Sequence, residues 1–126
     1  KYDAFAAAHA ALACSGTVAI ELAMAQLPSV TAYQLNKLTY FLYRRFIKVD
    51  YANLVNLMHN REVVPELIQE NCTPEKLAAA IHVLLSNESA RQNQIVGLKD
   101  VASWLGQGSF IPSERAAETI LSITQI

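Results

Sequence analysis

The stretch from Ala11 to Tyr33 constrains this chain more than any other. Ala11 to Cys14 is a short apolar run that stops at Ser15-Gly16, the pattern of a buried strand ending in a turn. Thr17 to Gln26 has helical spacing, with Val18, Leu22 and Ala25 on one face and Ala19 and Ala23 widening a close-packing surface. Pro28 ends that helix, and Ser29 to Tyr33 carries the β-branched residues of a second strand. Strand, helix and strand with short joints make a βαβ unit, which requires a parallel sheet.

Upstream, the alanine-rich Tyr2 to Ala10 predicts a helix packed closely against a neighbour. Lys37 to Val49 predicts an aromatic helix in which Leu38, Phe41, Leu42 and Val49 face the core. Asn53 to Glu62 reads as irregular, and Val63 to Gln69 as the beginning of a short helix or turn. Thr73-Pro74-Glu75 is a helix start: a capping hydroxyl, a proline in the first turn and a carboxylate near the positive end. The stripe of that helix is Leu77, Ala80, Ile81, Leu84 and Leu85. Asn87 to Leu105 predicts a further helix, buried through Ile95, Leu98, Ala102 and Leu105. Ser113 to Thr124 predicts a last one, buried through Ala117, Ile120 and Leu121.

The chain thus reads as α/β, a βαβ unit followed by a helical tail over 88–126. Two or three short parallel strands do not cover themselves, so further strands are expected upstream or from a second copy. The beginning Lys1-Tyr2-Asp3, patterned at once, reads as a piece of a longer polypeptide. With 126 residues, 52% hydrophobic and 17% charged, a packed core is expected and disorder is not. A net charge of −1 argues against nucleic acid as partner. Cys14 and Cys72 are expected as free thiols in a reducing compartment, Cys14 buried and Cys72 in a loop. No His, Cys or carboxylate set has metal-ligand spacing, and no apolar run reaches transmembrane length.

Chemistry is expected first at Ser15-Gly16-Thr17. A helix that follows a parallel strand points free N–H groups and its positive end into the crevice beyond the strand. Gly16 admits a phosphate to the backbone, the Ser15 and Thr17 hydroxyls can donate to it, and Glu21 lies one turn on, placed for ribose hydroxyls. By spacing alone a second reading stays open: Ser-Gly-Thr caps the helix and Glu21 is a solvated first-turn acid. A second constellation interleaves Tyr40, Phe41, Tyr43 and Phe46 with Arg44, Arg45 and Lys48. Its outward face, Tyr40, Tyr43, Arg44, Arg45 and Lys48, suits acyl chains and anionic headgroups; an aromatic packing helix with a solvated basic edge is the alternative. His9 and His82 read as structural, and His59 sits in the turn before Glu62.

Two segments carry a family resemblance. ALACSGTVAIELAMAQLPSVTAY and IKVDYANLVNLMHNREVVPELIQENCTPEKLA resemble, in order, two signatures of the lipid A disaccharide synthases, over Ala8 to Leu85. The resemblance implies the carboxy-terminal, UDP-sugar-binding part of a two-lobed GT-B (Rossmann-like) glycosyltransferase. It implies UDP-2,3-diacylglucosamine as donor, 2,3-diacylglucosamine 1-phosphate as acceptor, and a reaction with no cofactor. The implied location is cytoplasmic, peripheral on the inner membrane of a Gram-negative bacterium. The tail and the incomplete sheet point to a homodimer, with segment exchange between copies as one form of it.

Carried over residue by residue, Ser15, Gly16, Thr17 and Glu21 meet the uridine diphosphate or its ribose. Asn56 faces the reacting sugar or phosphate as the one catalytic candidate, while the general base is expected outside this chain. Arg61, Glu62 and Gln69 complete the nucleotide-sugar set, Arg61 as a counter-charge to diphosphate, with a surface Arg61–Glu62 ion pair as the plainer alternative. Val55 stands where the family usually has proline, which predicts a looser turn. Asn60 replaces a usual glycine, and Asn53 stands where serine is common. The rival functions are another UDP-sugar transferase or epimerase, and a non-catalytic helical interaction module.

Overall fold

The computed structural model describes residues 1–36, 39–41, 45, 50–106, 108 and 111–124. In chain order it has α1 (Tyr2–Ala7), β1 (Ala11–Ala13), α2 (Val18–Met24), β2 (Ser29–Tyr33) and α3 (Leu54–His59). Then come β3 (Glu66–Ile68), a 3-10 turn (Gln69–Asn71), α4 (Pro74–Ser86), α5 (Glu88–Trp104) and α6 (Pro112–Thr124). The strands form a parallel sheet in the order β1-β2-β3. The α/β class and the βαβ unit are as expected.

α2 packs on α5, and α3 sits against both; α4 lies against β2 and α5. The core is made of Ala23, Val55, Val64, Leu98 and Val101, with Ile20, Val63 and Leu105 packed around it. Burial of these side chains removes apolar surface from water at about 25 cal/mol per Å². A polar seam ties the layers. Gln94 on α5 accepts from the Ser29 N–H (2.6 Å) and donates to the Ser29 and Val63 carbonyls (3.1 and 3.2 Å). Among the described residues every buried side-chain nitrogen and oxygen has a partner, as a low-dielectric interior demands.

The structure corrects several expectations. The segment expected to be irregular contains α3, capped by Asn53, whose Oδ1 accepts from the Val55 N–H (2.8 Å). That bond needs an N–H that proline lacks, so Val55 anchors the turn instead of loosening it. Asn60 ends the helix in the left-handed conformation (φ 51°), which asparagine tolerates best among non-glycine residues. Val63 to Gln69 contains a strand that was not expected, Glu66, Leu67 and Ile68 pairing with Thr31, Ala32 and Tyr33, and the short helical turn begins only at Gln69. α1 buries none of its residues, against the close packing expected of it. Cys14 is exposed, as are Ala25 and Leu85, and Leu12 on the edge strand β1 is 53% exposed. α5 belongs to the core and not to a tail. On α6 the expected stripe is not buried: Ala117, Ile120 and Leu121 are exposed. Phe41, expected in the core, is 69% exposed.

Candidate functional site

A crevice of about 690 Å³ opens beyond the carboxyl ends of the strands, where parallel sheets bind ligands. Ser15 after β1, Tyr33 and Leu35 of β2 and its exit, and Ile68 and Glu70 of β3 and its exit all line it. Asp50, Tyr51 and Ala52 close one side, and Thr39 and Tyr40 face in from the aromatic segment. The chemistry of this lining is mixed: tyrosine rings at 33, 40 and 51 beside carboxylates at 50, 62, 66 and 70. Tyrosine faces suit a base or sugar ring, and carboxylates accept from hydroxyl groups.

Residues 52–56 and 63–69 form the wall behind the crevice, held by side-chain bonds. The Asn56 side chain is 0% exposed and makes four bonds. Its Nδ2 donates to the Val64 carbonyl and to Glu66 Oε1, both at 2.7 Å. Its Oδ1 accepts from the Val63 and Val64 N–H groups, both at 2.8 Å. An asparagine has two donor hydrogens and two lone pairs on its oxygen, so nothing remains for a ligand. Asn56 therefore does not face the crevice in this structure: it holds the wall, against the expectation of a sugar contact. Gln69, at φ 53°, is also buried and also occupied: it accepts from the Leu35 N–H (2.8 Å) and donates to the Leu35 carbonyl (3.3 Å).

The Ser-Gly-Thr turn lies at the rim. Ser15 Oγ donates its one hydrogen to the Ala52 carbonyl at 2.7 Å, which leaves it lone pairs and no proton for a phosphate. Gly16 has φ 131°, and a Cβ built there meets no atom within 4 Å. The space in front of it is open, and its backbone conformation is one that side-chain-bearing residues avoid. Thr17 is exposed, precedes α2 and makes no side-chain cap bond, so its hydroxyl has not been spent on the helix. Glu21 forms an ion pair with Lys1 at 2.6 Å. That bond and the Glu21 charge raise the Lys1 ammonium above its ordinary value, against a smaller opposing effect of desolvation.

The other expected residues are scattered. Glu62 lines the crevice, but Arg61 faces a separate hollow of about 310 Å³ between the 61–65 segment and α4–α5, whose wall Glu62 shares. Among the described residues no ion pair joins the two. His59 packs on Trp104 (ring centroids 4.7 Å apart), and its Nε2 lies 2.8 Å from the Gly97 carbonyl. Of the aromatic–basic set, Tyr40 turns to the crevice and Arg45 is exposed; Tyr43, Arg44 and Lys48 lie outside the described residues. Sequence reasoning missed Tyr33, Asp50, Tyr51, Glu66 and Glu70. Tyr33 ends a strand that was recognised, so its place at the strand's carboxyl end was readable; the others depend on β3, which was not. Among the described residues no group of His, Cys, Asp and Glu is arranged to hold a metal ion, and no helix is long and apolar enough to cross a membrane.

The family model for lipid-A-disaccharide synthetase matches residues 1–120. The chain belongs to this family. It is 58% identical to the lipid-A-disaccharide synthase of Rhodospirillum centenum over 98% of its own length, but covers 31% of that protein. For the synthases of Paramagnetospirillum magneticum and Rhodopseudomonas palustris the identities are 46% and 43%, over 96% and 98% of this chain and 32% and 31% of theirs. The chain thus spans about a third of the length of the curated relatives it matches. The resemblance carried by the two signatures in the sequence is borne out. The match also runs through α5 and into α6, beyond where the signatures fade.

Proposed function

We propose that this chain forms the UDP-sugar donor site of a lipid A glycosyltransferase. The reaction would join UDP-2,3-diacylglucosamine to 2,3-diacylglucosamine 1-phosphate, giving the β-1,6-linked lipid A disaccharide 1-phosphate and UDP. One observation carries the reading: the crevice beyond β1, β2 and β3 has the first family signature on its rim and the second in its wall. The nucleoside half lies among Tyr33, Tyr40 and Tyr51, with carboxylates accepting from ribose hydroxyls. The acidic lining repels phosphate, so the diphosphate rests at the open space before Gly16. There the backbone amides of residues 16–18 and the Thr17 hydroxyl stabilise charge on the departing UDP. With its hydroxyl proton committed to Ala52, Ser15 takes part as an acceptor. Arg61 adds counter-charge only if the sugar end reaches past Glu62 to its hollow. The base for the acceptor hydroxyl belongs, on this reading, to the remaining two thirds of the enzyme.

The acylated substrates call for a lipid-facing surface. Phe41 and Arg45, both exposed, replace Tyr40 as its described members. The enzyme then works at the cytoplasmic face of the inner membrane, and exposed α6 docks on a second copy in a homodimer. UDP tests the central reading. At a hundred times its dissociation constant it stabilises a protein that binds it by about 2.7 kcal/mol, a clear rise in Tm for the full-length enzyme. No rise, at concentrations up to millimolar, refutes the donor site.

A further inference from the structure

Glu66 lies on β3 in the lining of the crevice, and its carboxylate is the point on which the 52–56 segment converges. Oε2 accepts from the Ala52 N–H at 2.8 Å, and Oε1 from the Asn53 N–H at 2.9 Å. Oε1 also accepts from Asn56 Nδ2 at 2.7 Å. The same two loop residues are gripped from the other strands. Ser15 beyond β1 donates to the Ala52 carbonyl, and Asn53 Nδ2 donates to Thr31 Oγ1 on β2 at 2.7 Å. A loop with no sheet pairing of its own is thereby tied to all three described strands. Two successive backbone amides aimed at one carboxylate make strong, charge-assisted bonds, which fix direction as well as distance.

We propose that Glu66 is a positioning residue of the donor site. Although it also lines the crevice, its carboxylate is engaged by the loop, so it sets where residues 50–52 stand, and so where Asp50 and Tyr51 meet the ligand. The proposal rests on the donor-site reading and adds a claim about which residue makes that site rigid. The geometry explains why a carboxylate is needed. An amide in its place keeps the shape but turns an N–H toward one of the loop's own N–H groups, losing an acceptor and adding a clash of donors. Aspartate keeps the charge but falls one methylene short of the loop.

The test uses the full-length enzyme in four forms: wild type, Glu66→Gln, Glu66→Asp, and the core control Leu98→Ala. Two quantities are read on each, below the unfolding temperature of all: UDP affinity, and hydrogen exchange at the Ala52 and Asn53 amides. Both Glu66 variants should exchange these amides at least about tenfold faster and bind UDP about tenfold more weakly. Leu98→Ala should lower Tm while leaving UDP affinity within about twofold, which separates positioning from general loss of stability. Restoration of neither quantity by Glu66→Asp is part of the expectation, since reach as well as charge matters. Unchanged exchange at 52 and 53 in Glu66→Gln overturns the proposal, and so does faster exchange with wild-type UDP affinity. If wild type itself binds no UDP, the donor-site reading fails, while the exchange result still decides whether Glu66 holds the loop. Should Glu66→Gln not fold, Glu66→Asp carries both readings.

Discussion

Two helices near the carboxyl end, α5 and α6, behave in opposite ways. α5 is the more polar in sequence, yet it buries Gln94, Gly97, Leu98, Val101 and Ala102 and touches α2, α3 and α4. α6 carries the cleaner apolar stripe, with Ile120, Leu121 and Ile123, and leaves it in solvent. Periodicity states which face of a helix gains by burial; it does not say whether a partner is at hand. α5 has one because its polar members are satisfied inside: Gln94 completes the bonding of Ser29 and Val63, and Gly97 lets α5 approach Val63 closely.

The largest effect should come from the wall that α5 supports. Asn56→Ala strips partners from two buried N–H groups, a carbonyl and Glu66 at once, and should cost about 3–4 kcal/mol in urea unfolding. A loss near zero would mean that the wall repairs itself with water. Next, Leu98→Ala on α5 should cost about 2–4 kcal/mol, whereas Leu121→Ala on α6 should stay within about 0.5 kcal/mol in this chain. Equal losses would break the contrast between the helices. A large loss for Leu121→Ala only in the full-length enzyme would sharpen it, by showing that the stripe is covered there. Gly97→Ala is the intermediate case. The added methyl would stand 2.6 Å from a Val63 methyl carbon, and the strain should cost about 1–2 kcal/mol in thermal unfolding.

The smallest effect belongs to the rim. Because Glu21 raises the Lys1 ammonium above 10.5, the pair contributes fully below that pH and is lost as pH rises through the shifted value. Both partners are reached by solvent, so Tm compared with Lys1→Met should differ slightly, and only at pH below the raised Lys1 value. Salt should shrink the difference further.

The same contrast explains what was legible in the sequence. β1, α2 and β2 were, since each has a full apolar pattern and a clear stop at Gly16 or Pro28. β3 was not: three residues beginning with glutamate are too few to show alternation, and only pairing with Thr31 to Tyr33 makes them a strand. α3 was hidden by its shortness, although its two caps, Asn53 and Asn60, were visible one by one. At the candidate site, Ser15 and Gly16 were readable as a strand end and a turn because a strand end and a glycine announce themselves. The inward bonding of the signature residues Asn56 and Gln69 was not legible, because their amide groups meet groups that only the fold brings near. Glu66 was missed for the same reason.

The central claim is that the crevice beyond the strands receives the uridine nucleotide. A hydrogen-exchange footprint of UDP on the full-length enzyme tests it most directly. The account predicts slowed exchange at residues 15–18, 33–35, 50–53 and 68–71, with α6 and the hollow beside Arg61 unchanged. Slowing confined to that hollow, or absent from all four segments while UDP is bound, would contradict it.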